Sequence, residues 1–156
     1  MNNTKKTYTY SIRIAAPALH VHDILLGLSD KATYQQWTVF FSPDSSYLGT
    51  WEKGTRIYFV GEPKEGKVQG MIAEVVENTP GKFVSLRHIG MIDGEKEITE
   101  GPEVETWAGG SENYTLEEKD SHTTLTVDVD LPESEAEFFN RTWPKSLEKL
   151  KELAEK

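Results

Sequence analysis

The clearest hydrophobic pattern in this chain lies at its C-terminal end. After Pro132, apolar side chains recur every three or four positions, while Glu and Lys fill most of the opposite face. This spacing predicts a long amphipathic helix with one buried stripe. The stripe consists of Phe139, Trp143, Leu147, Leu150 and Ala154. Because Pro144 lacks a backbone donor, we expect a kink or a break near 141–143, with Pro144 opening the main helical segment.

A period of two residues dominates most of the remaining chain. Residues 7–15 alternate apolar and polar side chains, which predicts a first strand with one buried face. Two short helices are predicted next, one after Pro17 and one with Asp30 as its N-cap. Six further strands are predicted at 46–51, 55–60, 67–77, 82–91, 107–118 and 122–131. Short turns separate most of them, so we expect an antiparallel meander and an α+β fold, formed by one domain that spans residues 1–156.

One connection between the predicted strands is too long for a turn. Residues 92–106 contain five glutamates, one aspartate, two glycines and a proline. A loop of this length in a compact domain is usually functional or mobile. The alternative is a solvated acidic loop without a role of its own, because charged side chains mostly stay in water.

Several local strings resemble those of the START-like (SRPBCC) helix-grip superfamily. They are Ala16-Pro17 before an apolar helix, YQQW at 34–37, GTWEKG at 49–54, NYTLEEKDSHTTLTVDVD at 113–130 and FFNRTWPKSLEKLKEL at 138–153. Within that superfamily, the chain is most similar to the homologues of the C-terminal domain of the heat-shock-protein ATPase activator. The resemblance implies a seven-stranded antiparallel sheet curved around the C-terminal helix, two short helices after the first strand, and a cavity between helix and sheet. Relatives hold lipids, hormones and polyketides in this cavity, and a few carry out cyclisation or similar chemistry there.

Charge and composition exclude several classes of partner. The formal net charge is −9, from 26 acidic and 17 basic residues, which disfavours binding to nucleic acid or to an anionic membrane surface. The chain has no cysteine, and therefore no disulfide, thiolate nucleophile or cysteine-based zinc site. No apolar run is long enough to insert into a membrane, and the N-terminus does not resemble a signal peptide. We therefore expect a cytoplasmic protein.

Candidate catalytic and metal-binding motifs are sparse. The string AGGSEN at 108–113 matches a Gly-x-Ser-x-Gly elbow only in part, because Asn113 replaces the last glycine and the string lies in a predicted strand. His20 and His22 lie two positions apart on a predicted helix and so point in different directions. No HExxH motif is present. We therefore expect no catalytic nucleophile, no metal site and no cofactor.

Two polar residues are predicted on the inner face of the sheet. Strand parity places His88 on the same face as Val84 and Leu86, and it places Glu112 on the same face as Tyr114. The more apolar face of such a strand packs inward. A buried carboxylate is costly unless it is paired or protonated, and such groups are candidates for functional sites. The alternative is that each residue lies near a strand end, hydrated or hydrogen-bonded to a neighbour.

The chain is also rich in large aromatic residues, which either form the core or line a pocket for a planar or aliphatic ligand. Trp37 and Trp143 are the strongest pocket candidates. The predicted ligand-binding residues are Tyr34, Trp37, Trp51, His88, Trp107, Glu112, Tyr114, Phe139 and Trp143.

The sequence thus favours binding of a small hydrophobic or amphipathic molecule in a cavity between the C-terminal helix and the sheet. Two alternatives remain open. One is a cyclase- or hydrolase-like enzyme that uses Glu112 or His88 as acid or base in the same cavity. The other is a co-chaperone-like module that binds a protein partner.

Overall fold

The computed structural model describes residues 5–105 and 108–156. In this part of the chain the strands are β1 (Lys5–Ile14), β2 (Ser46–Leu48), β3 (Arg56–Val60), β4 (Gln69–Thr79), β5 (Phe83–Asp93), β6 (Lys96–Ile98), β7 (Ser111–Lys119) and β8 (His122–Pro132). The α-helices are α1 (Ala18–Leu26), α2 (Ala32–Thr38) and α3 (Ala136–Ala154), and a short 3₁₀ turn (Glu133–Glu135) precedes α3.

The strands form one antiparallel sheet in the order β1-β8-β7-β5-β4-β3-β2, and the short β6 pairs with β5 beside this path. Two register shifts between β4 and β5, at 72/73 and 75/77, mark irregularities of the bulge type, which bend strands. Helix α3 packs against β1, α1 and α2. The predicted α+β helix-grip fold, with a seven-stranded antiparallel path and a long C-terminal helix, is confirmed.

The alternation along β8 shows why one face of the sheet packs inward. Every second position from 123 to 131 is buried, namely Thr123, Leu125, Val127, Val129 and Leu131, and the residues between them are only partly buried. On the outer face, the hydroxyl of Thr9 donates to Asp128 across the β1–β8 pair at 2.6 Å. The sequence pattern of period two therefore separates an apolar inner face from a polar outer face.

Helix α3 does not break at its proline. It runs from Ala136 to Ala154 with Pro144 inside it, so the predicted break near 141–143 is wrong. Pro144 is exposed, whereas Trp143, Leu147 and Leu150 on the packed side are almost completely buried. A proline in a helix interior costs about 3 kcal/mol, and burial of these three side chains offsets that cost.

The acidic connection is more ordered than a single loop. Residues 92 and 93 extend β5, and 96–98 form β6, so the prediction of a loop is wrong for the first half of the segment. The carboxylate of Glu97 accepts hydrogen bonds from Arg56 at 2.6 Å and from the hydroxyl of Tyr58 at 2.8 Å. These contacts fasten the first half of the segment to β3.

Other predicted boundaries shift by a few residues. Strand β2 ends at Leu48 because Gly49 adopts a positive φ of 107°, and β7 begins only at Ser111. Asp30 lies one position before the N-cap residue Lys31, although its carboxylate still accepts the amide of Ala32 at 3.0 Å. Within the described residues, no helix is both long and apolar enough to cross a lipid bilayer.

Candidate functional site

A hydrogen-bonded group of three polar residues lies on the inner face of the sheet. Nε2 of His88 donates to Oε1 of Glu112 at 3.2 Å, and the hydroxyl of Tyr114 donates to Oε2 of the same carboxylate. Leu86 is the direct partner of Glu112 in the β5–β7 pair, so His88 is its diagonal neighbour on the same face. The side chains of His88 and Glu112 are only 12% and 19% exposed. We refer to His88, Glu112 and Tyr114 as the polar triad.

The environment of Glu112 favours its ionised form. Burial alone would raise the pKa of the Glu112 carboxyl, but the hydrogen bond and charge interaction with His88, together with the Tyr114 hydroxyl, hold that pKa below its ordinary value. Burial and the neighbouring charge of Glu112 raise the pKa of the Tyr114 phenol well above its ordinary range. The triad therefore contains a buried carboxylate that is stabilised by donors from two strands.

Aromatic rings adjoin the triad. The ring of Trp143 on α3 lies 6.3 Å from the ring of Tyr114, measured between centroids. It also lies 5.9 Å from Tyr10, 6.0 Å from Trp37 and 4.9 Å from Phe41. Trp143 therefore connects the helix to the sheet directly beside the polar triad.

A second group of rings surrounds Tyr34. Its ring contacts Trp37 at 5.7 Å, Trp51 at 6.2 Å and Phe59 at 6.1 Å between centroids. Burial raises the pKa of the Tyr34 phenol well above its ordinary range, and the negative charge of Glu112 is the second largest cause. The negative charge of Glu112 therefore acts on Tyr34. Tyr34 also connects the two groups of rings, because it contacts Trp37, which in turn contacts Trp143.

The structure brings most of the predicted site residues into one region. Ring contacts and hydrogen bonds connect Tyr34, Trp37, Trp51, His88, Glu112, Tyr114, Phe139 and Trp143. Phe139 takes part through Phe41, which also touches Trp143. Trp107 lies outside the described residues. The eight described residues are thus neighbours, and their role in ligand binding stays a prediction.

The two strongest pocket candidates form part of the packed core. Trp37 and Trp143 are 2% and 3% exposed. The indole nitrogen of Trp37 donates to the carbonyl of Leu25 at 3.0 Å, which fixes α2 against α1. Four rings contact that of Trp143, so both tryptophans hold the helices on the sheet.

Several buried polar atoms in this region have no hydrogen-bond partner among the described residues. They are Nδ1 of His88, Nε1 of Trp51, Nε1 of Trp143 and Oγ of Ser146. Most buried polar groups in proteins are hydrogen-bonded, and an unpaired one requires an explanation. Trp143 and Ser146 lie three positions apart on the same face of α3. The unpaired atoms thus come from both the sheet and the helix.

Sequence reasoning missed a surface depression of about 270 Å³. It lies between the segment after α2 and the β3–β4 hairpin, and its walls include Ser42, Asp44, Ser45, Phe59, Gly61 and Gly70. None of the eight described residues predicted to bind a ligand is part of its walls. Only a tertiary structure brings these two segments together, so no local pattern in the sequence could reveal the depression.

Asp44 joins the two walls of this depression. Its carboxylate accepts hydrogen bonds from the hydroxyl of Ser42 at 2.7 Å and from the amide of Glu62 at 2.9 Å. A side chain at Gly61 would place its Cβ 2.9 Å from this carboxylate, and one at Gly70 would place it 1.9 Å from the carbonyl oxygen of Phe59. The two glycines therefore permit the close approach of the walls.

No group of three or more His, Asp or Glu side chains in the described residues is arranged to hold a metal ion. The polar triad contains one carboxylate and one imidazole, and the carboxylate is already hydrogen-bonded through both oxygens. The side chains of the polar triad are therefore arranged to form hydrogen bonds with one another.

Comparison with solved structures shows the same fold in other proteins. The Aha1 dimer from Colwellia psychrerythraea matches with a TM-score of 0.65 and 21% sequence identity over 96% of each chain. Protein CV1439 from Chromobacterium violaceum matches with a TM-score of 0.66 and 16% identity over 96% of this chain and 97% of that chain. DynU16, a protein of the dynemicin biosynthetic locus, matches with a TM-score of 0.62 and 17% identity over 94% of this chain and 46% of its own.

No protein-family model matches the sequence, and a search of curated proteins found no match either. The likeness to solved structures therefore concerns the fold. These matches confirm the helix-grip fold that the sequence resemblance implies.

Proposed function

We propose that this protein binds a small apolar or amphipathic molecule on the inner side of the sheet, beneath α3. The observation that carries the proposal is the polar triad, in which an ionised Glu112 is held by His88 and Tyr114 beside the rings of Trp143 and Tyr34. Binding sites for small molecules combine a mostly apolar lining with a few polar groups that fix the orientation of the ligand.

The stability of the fold does not explain why a carboxylate is buried at position 112. Removing a charged group from water costs several kcal/mol, and replacing a buried ion pair by apolar residues is often neutral or stabilising. Glu112 faces inward between strands whose other inner residues, such as Leu86 and Leu116, are apolar and buried. Its presence there supports a role in recognition.

We propose that the ligand enters from the depression beside Phe59. Phe59 forms part of its wall and stacks on Tyr34, and the charge of Glu112 acts on Tyr34 in turn. A ligand that buries about 250 Å² of apolar area would gain about 6 kcal/mol before the cost of association. Micromolar affinity therefore requires a larger contact area or a polar anchor, which the triad supplies.

A titration with a neutral fluorescent probe, N-phenylnaphthylamine, tests the proposal. We expect saturable binding to the wild type and weaker binding to Trp143→Phe, which removes the indole next to Tyr114. Phe138→Leu, which alters an aromatic residue on the same helix that is 39% exposed, should bind as the wild type does. The proposal fails if neither this probe nor a neutral aliphatic probe binds the wild type saturably.

The triad favours binding over catalysis. A general base works best when its pKa lies near the working pH. Although burial acts in the opposite direction, the hydrogen bonds from His88 and Tyr114 hold the pKa of the Glu112 carboxyl below its ordinary value, which weakens it as a base. Recovery of the bound ligand chemically changed after incubation would support the cyclase- or hydrolase-like alternative.

A protein partner is the second candidate function, and exposed aromatic residues favour it. Phe40 is 43% exposed and Phe138 is 39% exposed, and Phe138 contacts Phe41, the residue after Phe40. One of the structural neighbours, the Aha1 protein of Colwellia psychrerythraea, is a dimer. If this surface forms an interface, light scattering should show an assembly in the wild type and a monomer in the double variant Phe40→Ser, Phe138→Ser. A monomeric wild type would count against self-association.

A further inference from the structure

The apolar inner face of the sheet continues beyond the part that α3 covers. We infer that the ligand carries an elongated apolar moiety, which lies across β3, β4, β5 and β6 on a strip formed by Phe59, Met71, Met91 and Ile98. This inference rests on the proposed function and adds a second part to its binding site. It follows from the register of the four strands and from the exposure of their side chains.

The pairing of the strands places these four side chains in one row. Phe59 is the direct partner of Met71. Met91 pairs with Met71 on one side and with Ile98 on the other. Directly opposed side chains lie on the same face of an antiparallel sheet, with their Cβ atoms about 4.5–5.5 Å apart. Neighbouring strands are about 4.8 Å apart, so the row is about 14 Å long. We refer to this row as the apolar strip.

The apolar strip lies on the inner face of the sheet. At one end, the ring of Phe59 stacks on the buried ring of Tyr34 at 6.1 Å between centroids. At the other end, Glu97 and Ile98 point to opposite faces, because they are neighbours in β6. Glu97 bonds Tyr58, the neighbour of Phe59, on the outer face. Both ends of the strip therefore face the core side, and the acidic connection supplies one of them.

The strip is accessible to a ligand, unlike the core beside it. Met71 is 39% exposed, and Phe59, Met91 and Ile98 are partly exposed. Helix α3 packs against β1, α1 and α2, and β1 lies at the opposite edge of the sheet from β2 and β3. The helix therefore leaves Met71 uncovered, although Met71 is on the face that the helix packs against elsewhere.

The strip adjoins both the depression and the polar triad. Phe59 belongs to the walls of the depression, and so does Gly70, the residue before Met71. Towards the core, Ala73 is the direct partner of His88 and lies two positions from Met71 on the same face. Two positions along a strand span about 6.6–6.8 Å. One end of the strip thus meets the depression, and its inner side lies one row from His88 of the triad.

A polar rim limits the strip towards the ends of the strands. The next row on the same face consists of Gln69, Asp93 and Lys96, which are direct partners. The amide nitrogen of Gln69 donates to Oδ1 of Asp93 at 3.1 Å. The apolar surface is therefore long across the strands and narrow along them. An elongated apolar group fits this shape, and the two methionines can adapt to its contour because their side chains are unbranched and flexible.

The size of the strip favours a small ligand over a protein partner. The strip is about 14 Å long and, from the spacing of two residues along a strand, about 7 Å wide, which gives an area on the order of 100 Å². A stable protein interface buries about 800 Å² on each partner. The strip is far smaller than such an interface, and a continuous row beside a depression differs from the single exposed apolar residues that are normal on protein surfaces.

Methyl NMR locates the ligand. The chain has three methionines, and two of them lie in the strip. Protein labelled with ¹³C at the methionine methyl groups is titrated with 1-decanol, and Met71→Leu and Met91→Leu assign the two signals. We expect both signals to shift along one saturable curve. Saturable binding of N-phenylnaphthylamine with no shift of either signal by decanol overturns the inference and leaves the proposed function intact. If neither ligand binds, both fail.

A comparison of two alcohols tests the elongated shape. Each buried CH₂ group contributes about 0.8 kcal/mol, a factor of about four in affinity. We expect the dissociation constant, measured from the methyl shifts, to fall at least about fivefold from 1-octanol to 1-decanol, because the strip has room for the longer chain. A smaller gain would show a compact site and overturn the inference.

A substitution in the middle of the strip tests its role. Met71→Gln introduces a polar group there and should weaken the binding of 1-decanol at least about fivefold. Val76→Gln is the matched control, since Val76 is 43% exposed on the same strand but lies outside the strip, and this variant should bind as the wild type does. Both positions are exposed, so we expect both variants to fold. An equal effect of the two substitutions would contradict a local role for Met71.

Discussion

Tyr114 is one of the two residues, with His88, that stabilise the buried charge of Glu112. Its hydroxyl donates to Oε2 of Glu112. Hydrogen bonds to charged groups contribute about 1.5–3 kcal/mol. Tyr114→Phe should therefore lower the free energy of unfolding by about that amount and raise the pKa of the Glu112 carboxyl, because one donor to the ionised form is lost. Urea unfolding and an NMR titration of the Glu112 carboxyl carbon measure the two effects.

Tyr58→Phe is the matched control for this substitution. The hydroxyl of Tyr58 also donates to a carboxylate, that of Glu97, but on the exposed side of the sheet, where 35% of the Glu97 side chain is exposed. Exposed polar contacts contribute little to the free energy of unfolding, typically less than about 1 kcal/mol. Equal losses of stability in the two variants would show that burial does not strengthen the bond between Tyr114 and Glu112.

His22 should make stability depend on pH. It is 2% exposed, and its Nδ1 accepts the amide of Gly81 at 3.2 Å. Burial lowers its pKa, although Asn78 and the charge of Asp23 act in the opposite direction. In the unfolded chain the imidazole of His22 binds a proton near about pH 6.5. In the folded chain it does so only at a lower pH. Between these two pKa values the unfolded state binds more protons, so the free energy of unfolding falls as the pH falls.

Urea unfolding across the weakly acidic range measures this effect. His22→Gln should show a flatter dependence of stability on pH than the wild type in that range. His20→Gln, which changes an exposed histidine on the same helix, should retain the wild-type slope. A wild-type slope in His22→Gln would mean that folding does not lower the pKa of His22.

At the residue scale, strand parity predicted which way His88 and Glu112 face, because the period of two is a local property. It could not predict that the two side chains meet. Their distance depends on the register between β5 and β7, which are joined by a long acidic connection and aligned only by the sheet. The packing of Trp37 and Trp143 likewise follows from how α2 and α3 cross, which a sequence pattern does not contain.

At the scale of elements, Pro144 offers a simple test of helix α3. It is exposed, lies inside the helix and cannot donate a hydrogen bond to the carbonyl of Asn140. Pro144→Ala restores this donor and should stabilise the protein by up to about 3 kcal/mol. Lys145→Ala, at the next exposed position, should change stability by less than about 0.5 kcal/mol. A loss of stability in Pro144→Ala, measured by urea unfolding, would show that the proline ring is needed for the shape of the helix.

The helices and long strands were predicted better than the short elements. A stripe of five apolar residues marks α3 over its whole length, whereas β6 has three residues and is too short to show a period. Its formation depends on pairing with β5 and on the bonds of Glu97 with Arg56 and Tyr58, all of which are tertiary contacts. The break predicted at Pro144 failed for a related reason, because burial of Trp143, Leu147 and Leu150 outweighs the local cost of the proline.

For the whole molecule, α3 should be indispensable. It buries Trp143, Leu147 and Leu150, and truncation of such side chains costs about 2–5 kcal/mol each, against a total stability of about 5–15 kcal/mol for a typical domain. A chain that ends at Glu133 should therefore show no cooperative thermal transition by circular dichroism. A chain that lacks only the exposed Lys156 should melt as the full chain does. A cooperative transition in the chain ending at Glu133 would contradict the helix-grip arrangement of the core.

The architecture of the molecule was predictable because its pattern is consistent from end to end, with one strand, two short helices, a run of strands and a long amphipathic helix. The depression beside Phe59 was not predictable. Its walls come from the segment after α2 and from the β3–β4 hairpin, and Asp44 joins them through hydrogen bonds across the gap. Such a site exists only after the chain has folded.

The order of the chain also affects how the protein is made. The first strand, β1, pairs with β8, and the inner face of the sheet is covered by α3, which follows the eight described strands in the sequence. At translation rates of about 5–20 residues per second, synthesis of α3 takes about one to four seconds. During this time the nascent sheet has no cover for its apolar face, and exposed apolar surface of this kind promotes aggregation. Slow codons within α3 lengthen this interval and should therefore reduce the yield of folded protein.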